Sequence, residues 1–119
     1  MTIDKGAIGP ALGRLPSGLA VATARHGSER TGFLASWIQQ LGFEPPLVGC
    51  IVSGRNHSFT ALRATRECVI AIPTVELARQ VVAAGNCSGR DLADKFAEVG
   101  LTPVPAAEVQ ACGMQSITN

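Results

Sequence analysis

Arg55-Asn56-His57-Ser58, and further along the chain Ser88-Gly89-Arg90, supply the residue types that hold an anion. Guanidinium and ammonium groups donate charge-assisted hydrogen bonds, hydroxyls add neutral ones, and glycine lets backbone amides approach closely. In the first stretch Ser58 stands where a helix would begin. The unpaired N–H groups and positive dipole end of a helix favour negative charge there, although most capped helices bind no phosphate and an ordinary N-cap explains Ser58 equally well. His57 has no partner identifiable in sequence and reads as a loop residue. The second stretch matches neither the Walker loop nor the dinucleotide fingerprint, since G-x-x-x-x-G-K-[ST] and G-x-G-x-x-G are both absent. Its alternative reading is structural, with Asp91 capping a last helix and Arg90 and Lys95 solvated. A third stretch, Leu34-Ala35-Ser36-Trp37-Ile38, sets small residues beside a hydroxyl and the only tryptophan. That pattern suits a flat ligand, or a large residue in a core or an interface.

Other chemistries find less support. His26 and His57 lie thirty-one positions apart without clustered partners, so no metal constellation is legible. Cys50, Cys68, Cys87 and Cys112 form no C-x-x-C pair and no dense disulfide framework, which favours free thiols and a cytoplasmic setting. No residue stands out as a catalytic acid, base or nucleophile. The formal net charge of +1 provides no global field to gather nucleic acid or an anionic membrane, and no stretch approaches membrane-spanning length. Any anion must be held locally, and eight arginines against two lysines mildly favour planar, bidentate recognition of it.

These residues have to be positioned by a chain of 119 residues, 46% hydrophobic and 16% charged, the profile of a folded domain and not of a disordered segment. One domain over residues 1–119 is expected. A short helix is expected from about Ala7 to Leu15, ended by Pro16-Ser17-Gly18. From Leu19 to Thr23, bulky residues alternate with Ala20 and Ala22, a strand with one small face. Arg25 to Arg30 reads as a hairpin turn and Thr31 to Trp37 as the returning strand. Ile38 to Pro46 is expected as loop, and Leu47 to Val52 as a strand buried on both faces. A helix follows from Phe59 to about Arg66, then a buried strand over Cys68–Ile72. Thr74 is expected to cap a further helix in which Ala78, Val81 and Val82 share a face, ending near Gly85-Asn86. Leu92 to Val99 reads as a last short helix, with irregular chain beyond. Strands and helices interspersed without strict alternation point to an α+β domain, mainly β, with a barrel-like antiparallel core.

The order and spacing of Ala35-Ser36-Trp37-Ile38, Gly42-Phe43-Glu44-Pro45-Pro46, Ser88-Gly89-Arg90-Asp91 and Asp94-Lys95-Phe96 resemble the flavin reductase-like family. The segment Arg90 to Phe96 is one residue longer than the commonest form of its motif. The resemblance begins near Ala11, persists to about Val109, and implies an FMN-binding split β-barrel with peripheral short helices. By the same resemblance, Leu34, Ala35, Ser36, Trp37 and Ile38 would line the flavin ring. Arg55, Asn56, His57 and Ser58 would hold its phosphate, and Ser88, Gly89, Arg90 and Lys95 would lie near it. FMN is the implied cofactor, with FAD in second place, and NADH or NADPH the implied electron donor. Relatives are usually homodimers that pass electrons to free flavin, iron, an oxygenase or another acceptor protein. The expected activity is NAD(P)H-dependent flavin reduction; the alternative is a non-catalytic flavin-binding module or an inactive fragment of one. Residues 110–119 do not match the family's closing strands, so a truncated or divergent end, and dimerisation to cover what it leaves open, are expected.

Overall fold

The computed structural model describes residues 4–105. It opens with α1 (Lys5–Leu12), whose first turn is capped by the Asp4 carboxylate accepting the Gly6 N–H at 2.9 Å. The helix starts and stops earlier than expected, passes through Pro10, and buries none of its residues.

Two antiparallel strands follow, β1 (Ala20–His26) and β2 (Glu29–Ala35). The turn between them is tighter than the polar run suggested, because Gly27 takes φ +61° and lets the strands pair as far as His26 with Glu29. The small face of β1 is the buried one: Ala20 and Ala22 are 0% and 2% exposed. Helix α2 (Phe59–Thr65) packs against it, and Leu62 joins Ala20, Ala22, Phe33 and Ala35 in the core. Removing those apolar side chains from water stabilises the sheet and helix together, at roughly 25 cal/mol per Å² buried.

The third strand of this sheet is β5 (Val69–Ala71), antiparallel to β1 on the side away from β2, giving the order β2-β1-β5. A buried strand was expected here. As an edge strand it is exposed, with Ile70 at 37% and neighbouring Ile72 at 77%.

The expected loop over Ile38–Pro46 is instead half of a hairpin, β3 (Ile38–Phe43) with β4 (Pro46–Cys50). Its polar Gln39-Gln40 and its prolines concealed it. Pro46 occupies the first position of a strand, where a missing donor is tolerated, and a register shift between Gln40 and Gly42 breaks the two-residue alternation. The cis Glu44–Pro45 bond lies in the connection. β4 is not buried on both faces: Leu47, Val48 and the following Ile51 are 51%, 57% and 68% exposed, because a two-stranded ribbon has only one neighbour.

After Thr74 the chain makes a single 3-10 turn (Val75–Leu77) before α3 (Ala78–Asn86). The buried stripe of α3 is Val81 and Ala84, whereas Ala78 and Val82 face out. The last helix, α4 (Lys95–Val99), is shorter than expected. Asp94 caps it, and not Asp91, by accepting the N–H groups of Phe96 at 3.1 Å and Ala97 at 3.3 Å. Antiparallel sheets with short helices on their flanks make this an α+β fold, as expected from the sequence. The expectation of an atypical segment over 110–119 lies outside the described residues.

Candidate functional site

The middle of β2 forms one wall of a cleft of about 170 Å³. The loop Arg55–Ser58 forms the second wall, and the end of α3 with the turn through Ser88 and Gly89 forms the third. Glycine at two positions makes this assembly geometrically feasible. A Cβ on Gly32 would stand 3.0 Å from the Phe96 ring, so the bare backbone is what admits α4 against β2. A Cβ on Gly85 would come within 2.7 Å of Leu34 Cδ2, so α3 approaches the same strand as closely.

Docking of Phe96 carries its neighbour Lys95 inward. Lys95 is only 9% exposed, and its ammonium donates to the Gly32 carbonyl at 3.0 Å. Among the described residues no carboxylate lies within ion-pair distance of it. Burial pushes the Lys95 pKa below the ordinary lysine value, with Cys87 pulling the other way. An ammonium carries three donors. One is used on the Gly32 carbonyl. The alternative reading of Lys95 as a solvated residue does not hold, since it is buried.

The loop from Ser53 to Ser58 is held by its own side chains. Ser53 Oγ accepts the Arg55 N–H at 3.2 Å, and Asn56 Oδ1 accepts the Ser58 N–H at 2.9 Å, two turns of the kind short polar residues favour. Ser58 makes no side-chain cap to α2. Its hydroxyl lies 2.6 Å from that of Thr31, and both residues are buried, at 1% and 4% exposure. With its end tied up in this way and only seven residues long, α2 offers no separate dipole site. His57 Nε2 sits 2.8 Å from the Glu29 carboxylate, and its ring lies directly against Gly89. Arg90 donates to the Arg55 carbonyl at 3.2 Å, so the two loops are tied together across thirty-five residues.

Arg55, Asn56, His57, Ser58, Ser88, Gly89 and Lys95 therefore all line one cleft, and Arg90 braces it from outside. Of the stretch Leu34–Ile38, only Leu34 reaches it. Ala35 is buried in the core and Ile38 packs against it, while Ser36 is exposed and Trp37 is 69% exposed. Trp37 is three residues beyond Leu34, hence within ~11 Å of it between Cα atoms. Sequence reasoning missed Glu29, Thr31 and Gly32. No local pattern marks them; each matters through a partner far along the chain. Among the described residues there is no cluster that could hold a metal ion, no disulfide joins Cys50, Cys68 or Cys87, and no helix is long and apolar enough to cross a membrane.

A sheet pair flanked by short helices, with a cationic cleft between two loops, defines a small α+β domain. Residues 12–116 match the family model described as flavin reductase like domain, and the chain belongs to that family. It is 31% identical over 85 residues to an uncharacterized protein of Pyrococcus abyssi, covering 71% of this chain and 48% of that one. An uncharacterized protein of Archaeoglobus fulgidus is 32% identical over 76 residues, 64% of this chain and 42% of its own length. The chain thus spans just under half the length of these curated relatives. Among solved structures, flavoredoxin of Desulfovibrio vulgaris (Miyazaki F) superposes with a TM-score of 0.72 at 28% identity, covering 81% of this chain and 52% of flavoredoxin. An FMN-binding domain of a flavin reductases-like enzyme from Shewanella baltica OS155 gives a TM-score of 0.74 at 21% identity, covering 80% and 50%, and shares the fold.

Proposed function

We propose that this domain binds FMN, with the phosphate in the cleft between the two loops and the ring toward Ser36 and Trp37. The observation that carries this reading is the convergence of Arg55, His57, Ser58, Ser88 and Lys95 on one cleft in a chain of the flavin reductase-like family. The residues fit the group. The cleft is of a size for a phosphate and too small for the tricyclic ring as well, and it is lined by donors and cations, including a buried ammonium with no counter-ion among the described residues. Trp37 offers an exposed aromatic face within a ribityl chain's reach of Leu34.

When bound, the flavin supplies hydride acceptance from NADH or NADPH and onward delivery of electrons to an acceptor. The chain's own contribution is binding and orientation. Lys95 neutralises phosphate charge from the floor of the cleft and Arg55 from its rim, and the Ser88 hydroxyl helps fix its position, while Ser58, its hydroxyl engaged by Thr31, anchors the loop that carries Arg55 and His57. A second copy of the chain covers the apolar β3–β4 hairpin, where Leu41, Phe43 and Val48 are 68%, 85% and 57% exposed.

Titration with FMN, FAD and riboflavin, followed by visible absorption, tests the reading. A shifted flavin band, with FMN bound more tightly than riboflavin, is expected. Anaerobic addition of NADH or NADPH should then bleach the band. Bleaching marks a reductase, binding without bleaching marks a passive flavin module, and a colourless protein refutes the proposal.

A further inference from the structure

The least expected group at the edge of a phosphate cleft is a carboxylate. Glu29 begins β2, and its Oε1 lies 2.8 Å from Nε2 of His57, one of the residues lining the cleft. Coulomb's law alone says that an acid there weakens anion binding. The geometry offers a compensating role. The His57 ring is wedged between Glu29 on one side and Gly89 on the other, where a Cβ would stand only 3.0 Å from Cδ2. It is thus the strut between β2 and both loops. Its side chain is 28% exposed and that of Glu29 59%, so the pair adds little to folding stability. What it sets is where the ring, and with it the loop Arg55–Ser58, stands relative to the turn at Ser88. Among the described residues, Glu29 is the one acid whose side chain pairs with a cleft-lining side chain.

We infer that Glu29 is a positioning residue of this cleft: it holds His57 in place, and so tightens the grip on a phosphate despite its own negative charge. The inference rests on the phosphate reading above and adds to it a residue outside every motif that the sequence displays.

The test compares dissociation constants for FMN and riboflavin in the wild type, Glu29→Ala, Glu29→Gln, His57→Ala and the double variant Glu29→Ala/His57→Ala, with thermal melts as a check on folding. Glu29→Ala should weaken FMN about three- to fivefold, the scale of an exposed ion pair, and leave riboflavin within about twofold. Glu29→Gln, which keeps an acceptor at the same place, should recover most of the loss. In the His57→Ala background Glu29→Ala should cost nothing further, the non-additivity expected of residues acting as a unit. Tighter FMN binding by Glu29→Ala would overturn the inference, since charge repulsion would then dominate. So would failure of Glu29→Gln to recover affinity, or full additivity with His57→Ala. Equal wild-type affinity for FMN and riboflavin would strike the phosphate reading itself, and the inference with it.

Discussion

Lys95 reaches back from the first position of α4 to place its ammonium 3.0 Å from the carbonyl oxygen of Gly32, in the middle of β2. This contact joins parts of the chain sixty-three residues apart and sets a cation at the floor of the cleft. It depends on Gly32, because the ring of Phe96 fills the space a side chain there would need.

Replacing Lys95 by Met keeps the length and apolar stem while removing the charge. FMN affinity should fall about tenfold or more, the scale of a lost charge-assisted hydrogen bond, with riboflavin much less affected. Parallel titrations of the two ligands check it.

The same residue gives a pH dependence. Burial lowers the Lys95 pKa in the folded state below the 10.5 of an ordinary lysine. Between the folded value and 10.5 the unfolded chain holds a proton that the folded chain has released, so stability rises with pH in that window. The penalty is fully present below the folded pKa. Urea denaturation of the wild type and Lys95→Met at pH 7.5 and at the ordinary lysine value of 10.5 should show the wild type gaining on the variant at the higher pH.

Thr31→Val removes the hydroxyl partner of Ser58 and leaves a buried hydroxyl unpaired. A loss of about 1–3 kcal/mol is expected. The double variant Thr31→Val/Ser58→Ala should be less destabilised than the sum of the single changes, as chemical denaturation of all three would show.

Gly89→Ala places a Cβ 3.0 Å from His57 Cδ2 and forces the ring to give way. FMN binding should weaken about threefold to tenfold, or up to ~1.4 kcal/mol, while the melting temperature of this loop-site variant changes little. Binding titration and a thermal melt together check it.

Val48→Glu puts a charge on the exposed face of the β3–β4 hairpin. The wild type should sediment as a dimer and the variant as a monomer, with FMN binding altered only if the partner copy contributes to the site. Sedimentation velocity across a concentration series distinguishes the species.

Much of the fold was legible locally. The polar run from Arg25 to Arg30 marks the β1–β2 turn, the alternation around Ala20 and Ala22 marks β1 and its small face, and the turn residues from Ser53 to Ser58 mark the start of α2. The β3–β4 hairpin was not legible, because its polar residues, its bulge and Pro46 erase the two-residue period on which a strand is recognised. Exposure of β4 and β5 was equally hidden: an apolar run has the same composition at an edge as in the middle of a sheet. Asp94 rather than Asp91 caps α4, since the cap depends on where Phe96 docks.

For the site, the residue types and the two loops that carry them were written in the order of the amino acids, because a turn or a cap depends on neighbours a few positions away. Their meeting around one cleft was decided only in three dimensions. Glu29 beside His57, Thr31 beside Ser58 and Gly32 beneath Lys95 are contacts spanning twenty-seven to sixty-three residues. They exist because α2 packs on β1, α3 on β2 and the Phe96 ring of α4 on Gly32, and close packing brings distant side chains into contact.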